Sequence, residues 1–147
     1  MRFGVHKTNL GRNINGSVLA EAALAIPLLV GITFFIIEFG NVLYLSNSLN
    51  QVSRAAARFA SVTPSYTTQQ LIDASGAMSV LPSTSKLTLT SNPAPGSARS
   101  IGATITITAQ YNYTPIINPF GLLESNKVWA PILRGVSVTR SEVANVP

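Results

Sequence analysis

The sequence predicts an α+β fold: a long amino-terminal transmembrane and amphipathic helix, a short second helix, and a three-stranded antiparallel sheet. Three observations predict it. An apolar block from Val18 to Leu45 has the length and composition to cross a bilayer. It runs without a break into a one-sided stretch, where Val42, Leu45, Leu49, Val52, Ala56 and Phe59 recur at helical spacing. Further on, "IGATITITAQYNY" alternates apolar and polar residues in the period of a half-buried strand.

The span is bracketed by two acids. Between Glu21 and Glu38 no residue is charged, and the stretch includes "LLVGITFFII". At about 1.5 Å per residue the two carboxylates lie about 25 Å apart along a helix, near the thickness of the hydrocarbon core. Each then reaches an interface, avoiding the bilayer centre, where a carboxylate costs about 3 kcal/mol. Arg2, Lys7 and Arg12 precede the span, against Arg54 and Arg58 after it, which favours a cytoplasmic amino terminus. Pro27, in the middle, removes the amide that would bond the Ala23 carbonyl, so a kink is expected there. The loosened turn would let the segment repack when its surroundings change.

Beyond Glu38 the apolar stripe faces Asn47, Ser48, Asn50, Gln51, Arg54 and Arg58 on the other side, and the helix is expected to continue until "SVTPSY", where Pro64 stops it. A second helix is expected from near Thr67 through "TTQQLIDASGAMSVL", with Leu71, Ile72, Ala74 and Met78 inward and Gly76 weakening it. "KLTLT" predicts a first strand with Leu87 and Leu89 on one side, and "SNPAPGSARS" a turn-rich connector. In the second strand Ile101, Ala103, Ile105, Ile107, Ala109, Tyr111 and Tyr113 share a face. "TPIINPFGLLESN" reads as a loop. "KVWAPILRGVSVTRSE" supplies the third strand, with Pro131 marking a bulge or edge and Arg140 and Glu142 on one face. Tyr111, Tyr113 and Trp129 pack either into the sheet face or into a contact patch. The economical packing lays the helix stripe over the Ile/Tyr face of the sheet and leaves threonines outside.

Composition excludes several function classes. The net charge of +5 belongs largely to the first sixteen residues, without which it falls to +2, so a nucleic-acid partner is not expected. There is no cysteine, and the single histidine is His6. A chain starting at Ser17 therefore lacks the usual general base and the thiol nucleophile. Asp73, Glu124 and Glu142 show no paired-carboxylate or calcium-loop spacing, and "GRNINGS" lacks a P-loop lysine. No catalysis, cofactor, metal or small-molecule substrate is expected.

A basic leader, Gly16, then an apolar helix whose fifth residue counted from Ser17 is Glu21: this combination resembles the substrates of prepilin peptidases. More narrowly, "SVLAEAALAIPLLVGITFFIIEFGNVLYLSNSLNQVSRAAARFASV" resembles TadE-like pseudopilins of the tight-adherence (Flp, type IVb) pilus system. The shared features are an alanine-rich glutamate segment, an early proline, an acid-Phe-Gly at the outer end and an arginine-rich helix end. The resemblance continues weakly into "ITITAQYNYTPIIN" and "ILRGVSVTRSE". It implies a pilin-like fold, cleavage between Gly16 and Ser17, and an assembly role for Glu21, whose carboxylate pairs with the new Ser17 ammonium of a neighbouring subunit. It also implies as partners a prepilin peptidase, the pilus assembly platform, other pilins or pseudopilins, and membrane lipid. The expected organisation is a leader at 1–16, a span at 17–40, an amphipathic continuation at 41–63 and an α+β domain at 64–147. The protein would sit in a bacterial inner membrane with that domain in the periplasm, and pass in some systems into an extracellular pilus. Ala22 stands where major pilins of the system carry tyrosine, which favours a minor pseudopilin. Rival readings are a type II secretion pseudopilin, a membrane-anchored periplasmic binding or sensor module, and a chain with an ordinary cleaved signal peptide.

Overall fold

The structure is a computed structural model that describes residues 12–115 and 132–145, with side chains from Gly16 onward. Arg2, His6 and Lys7, and the segment holding Glu124, Trp129 and Pro131, lie outside the described residues. Helix α1 runs Arg12–Val62, starting ahead of Ser17 and continuing through Pro27. It is followed by α2 (Thr68–Ala74), α3 (Ala77–Val80), a 3-10 turn (Thr84–Lys86), and strands β1 (Leu87–Asn92), β2 (Thr104–Asn112) and β3 (Ile132–Arg140). The chain divides into two compact units, Met1–Ile37 and Glu38–Pro147.

In the second unit the strands form an antiparallel sheet in the order β1-β2-β3. Leu45, Leu49, Val52, Ala56 and Ala60 of α1 are buried in one cluster with Leu87, Leu89, Ile105, Ile107, Ala109, Tyr111 and Tyr113, and Val42 and Phe59 pack at its margin. Each fully buried aliphatic side chain here contributes about 1.5–3 kcal/mol. Threonines 88, 90 and 104 of the opposite face are exposed.

Helix and sheet approach closely at Gly135, the end of a row of pairs across the strands, Leu89 to Ala109 to Gly135. A Cβ built on Gly135 would stand 2.5 Å from the Leu49 carbonyl oxygen and 2.6 Å from its carbon. Both obstructing atoms are helix backbone, so no rotamer change makes room. The small pair Ala109–Gly135 is the notch in which α1 rests. Inward positions of β3 on either side are Leu133, Ser137 and Thr139, whereas Ile132, Val136 and Val138 point outward and are more than half exposed.

Three expectations need correction. The second helix is two pieces, because Gly76 adopts φ +67 and breaks the turn between them. The face then restarts: Leu71 and Ala77 are buried, while Ala74 and Met78 are exposed. Thr67 begins α2 with a reciprocal capping box, its hydroxyl accepting from Gln70 N and the Gln70 side chain accepting from Thr67 N. Ile101 is 71% exposed, since Gly102 at φ +84 turns the chain and β2 starts only at Thr104. Strand β3 ends at Arg140, and Glu142 lies in the bend beyond, where its backbone N–H donates to Ser61 O at 2.8 Å.

That last bond belongs to a set that closes the carboxyl end of α1. A helix leaves its last four carbonyls without partners, and the last turn of α1 holds no basic residue. Thr63 N donates to Phe59 O and Glu142 N to Ser61 O. Arg99, buried in the connector before β2, donates from Nη2 to Ala60 O at 3.1 Å and also to Thr63 O. Its guanidinium lies 4.9 Å from the centroid of Tyr66, which also meets Phe59 edge-on. Arg99 is held in turn by paired backbone bonds to Asn145, both 2.9 Å. Replacing Arg99 by Met leaves buried carbonyls bare and removes a cation from a helix carboxyl end; the expected loss is about 2–4 kcal/mol. Arg99→Lys recovers only part, because an ammonium has no planar face for Tyr66. Thermal unfolding of the full chain in detergent, monitored by circular dichroism, reads the difference.

Candidate functional site

In the first unit every described residue from Gly16 to Ile37 except Ala22 is exposed, including Leu24 at 79% and Phe35 at 69%. By length and composition α1 is suited to crossing a membrane. An apolar surface of this extent is stable only against lipid or other apolar helices. The one hydroxyl in its middle, Thr33, donates to Leu29 O at 2.9 Å and so presents no free donor to the hydrocarbon.

Gly16, Ser17 and Glu21 lie on the first turns of this exposed stretch, Ser17 and Glu21 one helical turn apart. Gly16 has no conformational reason to be glycine. A Cβ there would meet nothing within 4 Å, and its backbone is not left-handed. Glycine in a helix costs about 1 kcal/mol relative to alanine, so its presence needs another explanation. Pro27 lies inside the helix.

At the other end of the apolar stretch Glu38 is half-buried and accepts a hydrogen bond from the Tyr113 hydroxyl. Tyr113, just past β2, is only 4% exposed. Burial first, then the hydrogen bond and charge of Glu38, push its hydroxyl up to about 12 from the usual 10.0. Burial also raises Tyr111. A raised phenol keeps its proton in the folded state while the unfolded chain sheds it. Stability from this group is therefore full below pH 10 and is lost as the pH climbs toward 12. A phenolate absorbance titration should show a late-titrating tyrosine that Tyr113→Phe removes. Glu38→Gln should bring that titration down part of the way, burial being the larger cause.

Beside this pair, Tyr44 donates its hydroxyl to Val80 O at 3.1 Å, and Lys86 Nζ donates to Thr114 Oγ1 at 3.0 Å. With Asn41, Leu45 and Tyr111 they line a mostly apolar open cleft of about 280 Å³. No cluster of three metal-ligating side chains occurs among the described residues.

Residues 16–58 match the family model of TadE-like proteins. The match opens on Gly16, contains Glu21 and Pro27, and ends within the amphipathic part of α1, covering under a third of the chain. Comparison with curated proteins and with solved structures returns no match. The apolar helix and the TadE-like segment therefore coincide, and the sheet lies beyond the matched residues.

Gly16, Ser17 and Glu21, expected from the sequence to serve processing and assembly, are together on one exposed helical segment. The stripe residues Val42, Leu45, Leu49, Val52, Ala56 and Phe59 are in the core of the second unit or at its margin. Sequence reasoning missed Arg99 and Gly135. Arg99 had one available signal: a helix whose last turn lacks a cation, in a chain whose connector contains a lone arginine.

Proposed function

We propose that this chain is a minor pseudopilin of the tight-adherence (Flp, type IVb) pilus system, and that it works in assembly and not in catalysis. The observation that carries the proposal is the position of the TadE-like match, which starts at a glycine the helix does not need and includes a carboxylate on an otherwise apolar exposed surface. A prepilin peptidase cutting between Gly16 and Ser17 explains the glycine. The new ammonium explains the carboxylate, because a positive group one turn away offsets the cost of Glu21 near lipid. The helix holds the protein in the inner membrane, amino terminus cytoplasmic and sheet domain periplasmic. On assembly its bare surface exchanges lipid for neighbouring pilin helices, with Glu21 setting the register against the Ser17 amine of the next subunit.

Amino-terminal mass analysis of the protein from its native host tests this. The expected mature chain begins at Ser17, and changing Gly16 to a large residue leaves the leader attached. An intact leader in cells with an active prepilin peptidase, or a mature chain starting elsewhere, would reject the pseudopilin reading in favour of a permanently anchored periplasmic module.

A further inference from the structure

The cleft beside Asn41 and Tyr44 is not used by the function proposed above. The geometry points to it as a site for the headgroup of an anionic phospholipid, taken from the leaflet at the outer end of the span. This rests on reading the first part of α1 as a membrane span.

Depth is the first argument. Glu38 is the first charge after the apolar stretch, and the polar zone outside the hydrocarbon is about 5–7 Å thick on each side. Along the helix Asn41 follows Glu38 by about 4.5 Å and Tyr44 by about 9 Å. On that scale Asn41 lies within the headgroup zone and Tyr44 just past its outer edge, so the cleft wall begins at the level of the headgroups. Tyrosine rings suit this zone because their bodies are apolar and their tips polar, and Tyr44, Tyr111 and Tyr113 all line the cleft.

Chemistry is the second. Lys86 is the cation on the cleft wall, and no lining residue is acidic. Its ammonium has three protons, of which one goes to Thr114 Oγ1. Two remain for a phosphate oxygen. Since Thr114 accepts from Lys86, its own hydroxyl proton is free to point at the same anion, and the Asn41 amide adds further donors. The Tyr44 and Tyr113 hydroxyls are committed to Val80 O and Glu38. Glu38, whose charge opposes an anion, does not line the cleft. The volume of about 280 Å³ falls at the lower bound of ligand pockets, about 300 Å³. It accommodates a glycerophosphate headgroup and leaves the acyl chains in the bilayer.

The test places the full chain in nanodiscs containing both phosphatidylglycerol and phosphatidylcholine, releases it into detergent, and identifies retained lipid by native mass spectrometry. Wild type should retain phosphatidylglycerol with about a five-fold preference, the worth of one lysine at an anionic surface. Lys86→Gln should abolish the preference, Thr114→Val weaken it and Lys86→Arg keep it. Equal retention of the two lipids by inserted protein, or a preference surviving Lys86→Gln, overturns the headgroup site and leaves the membrane reading standing. Failure of the chain to enter nanodiscs overturns both. Inorganic phosphate that displaces phosphatidylglycerol at equal concentration would show a site for the free anion and reject the lipid assignment.

Discussion

Gly135→Ala should destabilise the sheet domain by about 3 kcal/mol or more, and Gly135→Val should prevent it from folding. Overpacking a filled core costs about 1–3 kcal/mol when neighbouring side chains can shift. Here the added carbon meets the Leu49 carbonyl at 2.5 Å and Asn50 N at 2.9 Å. Helix backbone cannot rotate aside, so α1 must lift away from the sheet. Lifting it costs part of the burial of Leu49, Val52, Ile105 and Ile107, each at 0% exposure. Shortening the opposing side chain offers no relief: Gly135→Ala combined with Leu49→Ala should be worse than either change alone, because the second adds a cavity worth about 2–5 kcal/mol and frees no backbone atom. Hydrogen exchange on the full chain in detergent gives a local reading, with early loss of protection expected across β2 and β3. An alanine variant with wild-type stability and exchange would mean that helix and sheet are less closely packed than this notch requires.

Why Gly135 was hidden in the sequence shows where reading by pattern stops. Alternation in "TITITAQY" was legible because one face of β2 carries large apolar groups at every second position, and those groups are buried against α1. In "ILRGVSVTR" the same logic favours Val136 and Val138 as inward residues, yet they are exposed. The inward set is Leu133, Gly135, Ser137 and Thr139, chosen by the register that pairs Gly135 with Ala109 under the helix. A strand beneath a closely packed helix needs small residues inside, so hydrophobicity loses to volume. Arg99 was hidden for a related reason. Its partners are carbonyls at the end of α1, about forty residues earlier in the chain, and nothing local in "SNPAPGSARS" distinguishes a structural arginine from a solvated one. The amphipathic half of α1 and the start of α2 near Thr67 were legible because their signals are local. The Gly16-to-Glu21 element was legible only as a resemblance: its residues are exposed, and their fold makes no demand that spells out their use.

Glu21→Ala is the change expected to alter function most while leaving the sheet domain untouched. Glu21 is exposed and belongs to the unit Met1–Ile37, so unfolding of the sheet domain should be unaltered. Cleavage after Gly16 should proceed, since the bond and its flanking residues remain. What changes is the balance between bilayer and filament. Near the interface and beside its own Ser17 ammonium, Glu21 bears only part of the roughly 3 kcal/mol that a carboxylate costs at the bilayer centre, and in the proposed assembly a neighbouring subunit's ammonium would relieve that part. Alanine has neither penalty nor partner, so the variant is more comfortable in lipid and has less to gain on leaving it. A shift of about 1.4 kcal/mol is about ten-fold in the partition between the two. Sheared pilus fractions should hold correspondingly little of the processed variant, while its amount in the inner membrane rises. Glu21→Gln should behave similarly, having lost the charge but kept the shape, whereas Glu21→Asp should retain part of the incorporation because the ammonium remains within reach of a shorter acid. Equal incorporation of wild type, Glu21→Ala and Glu21→Gln would separate the carboxylate from register setting. The exposed helix would then have to find its neighbours by apolar packing alone.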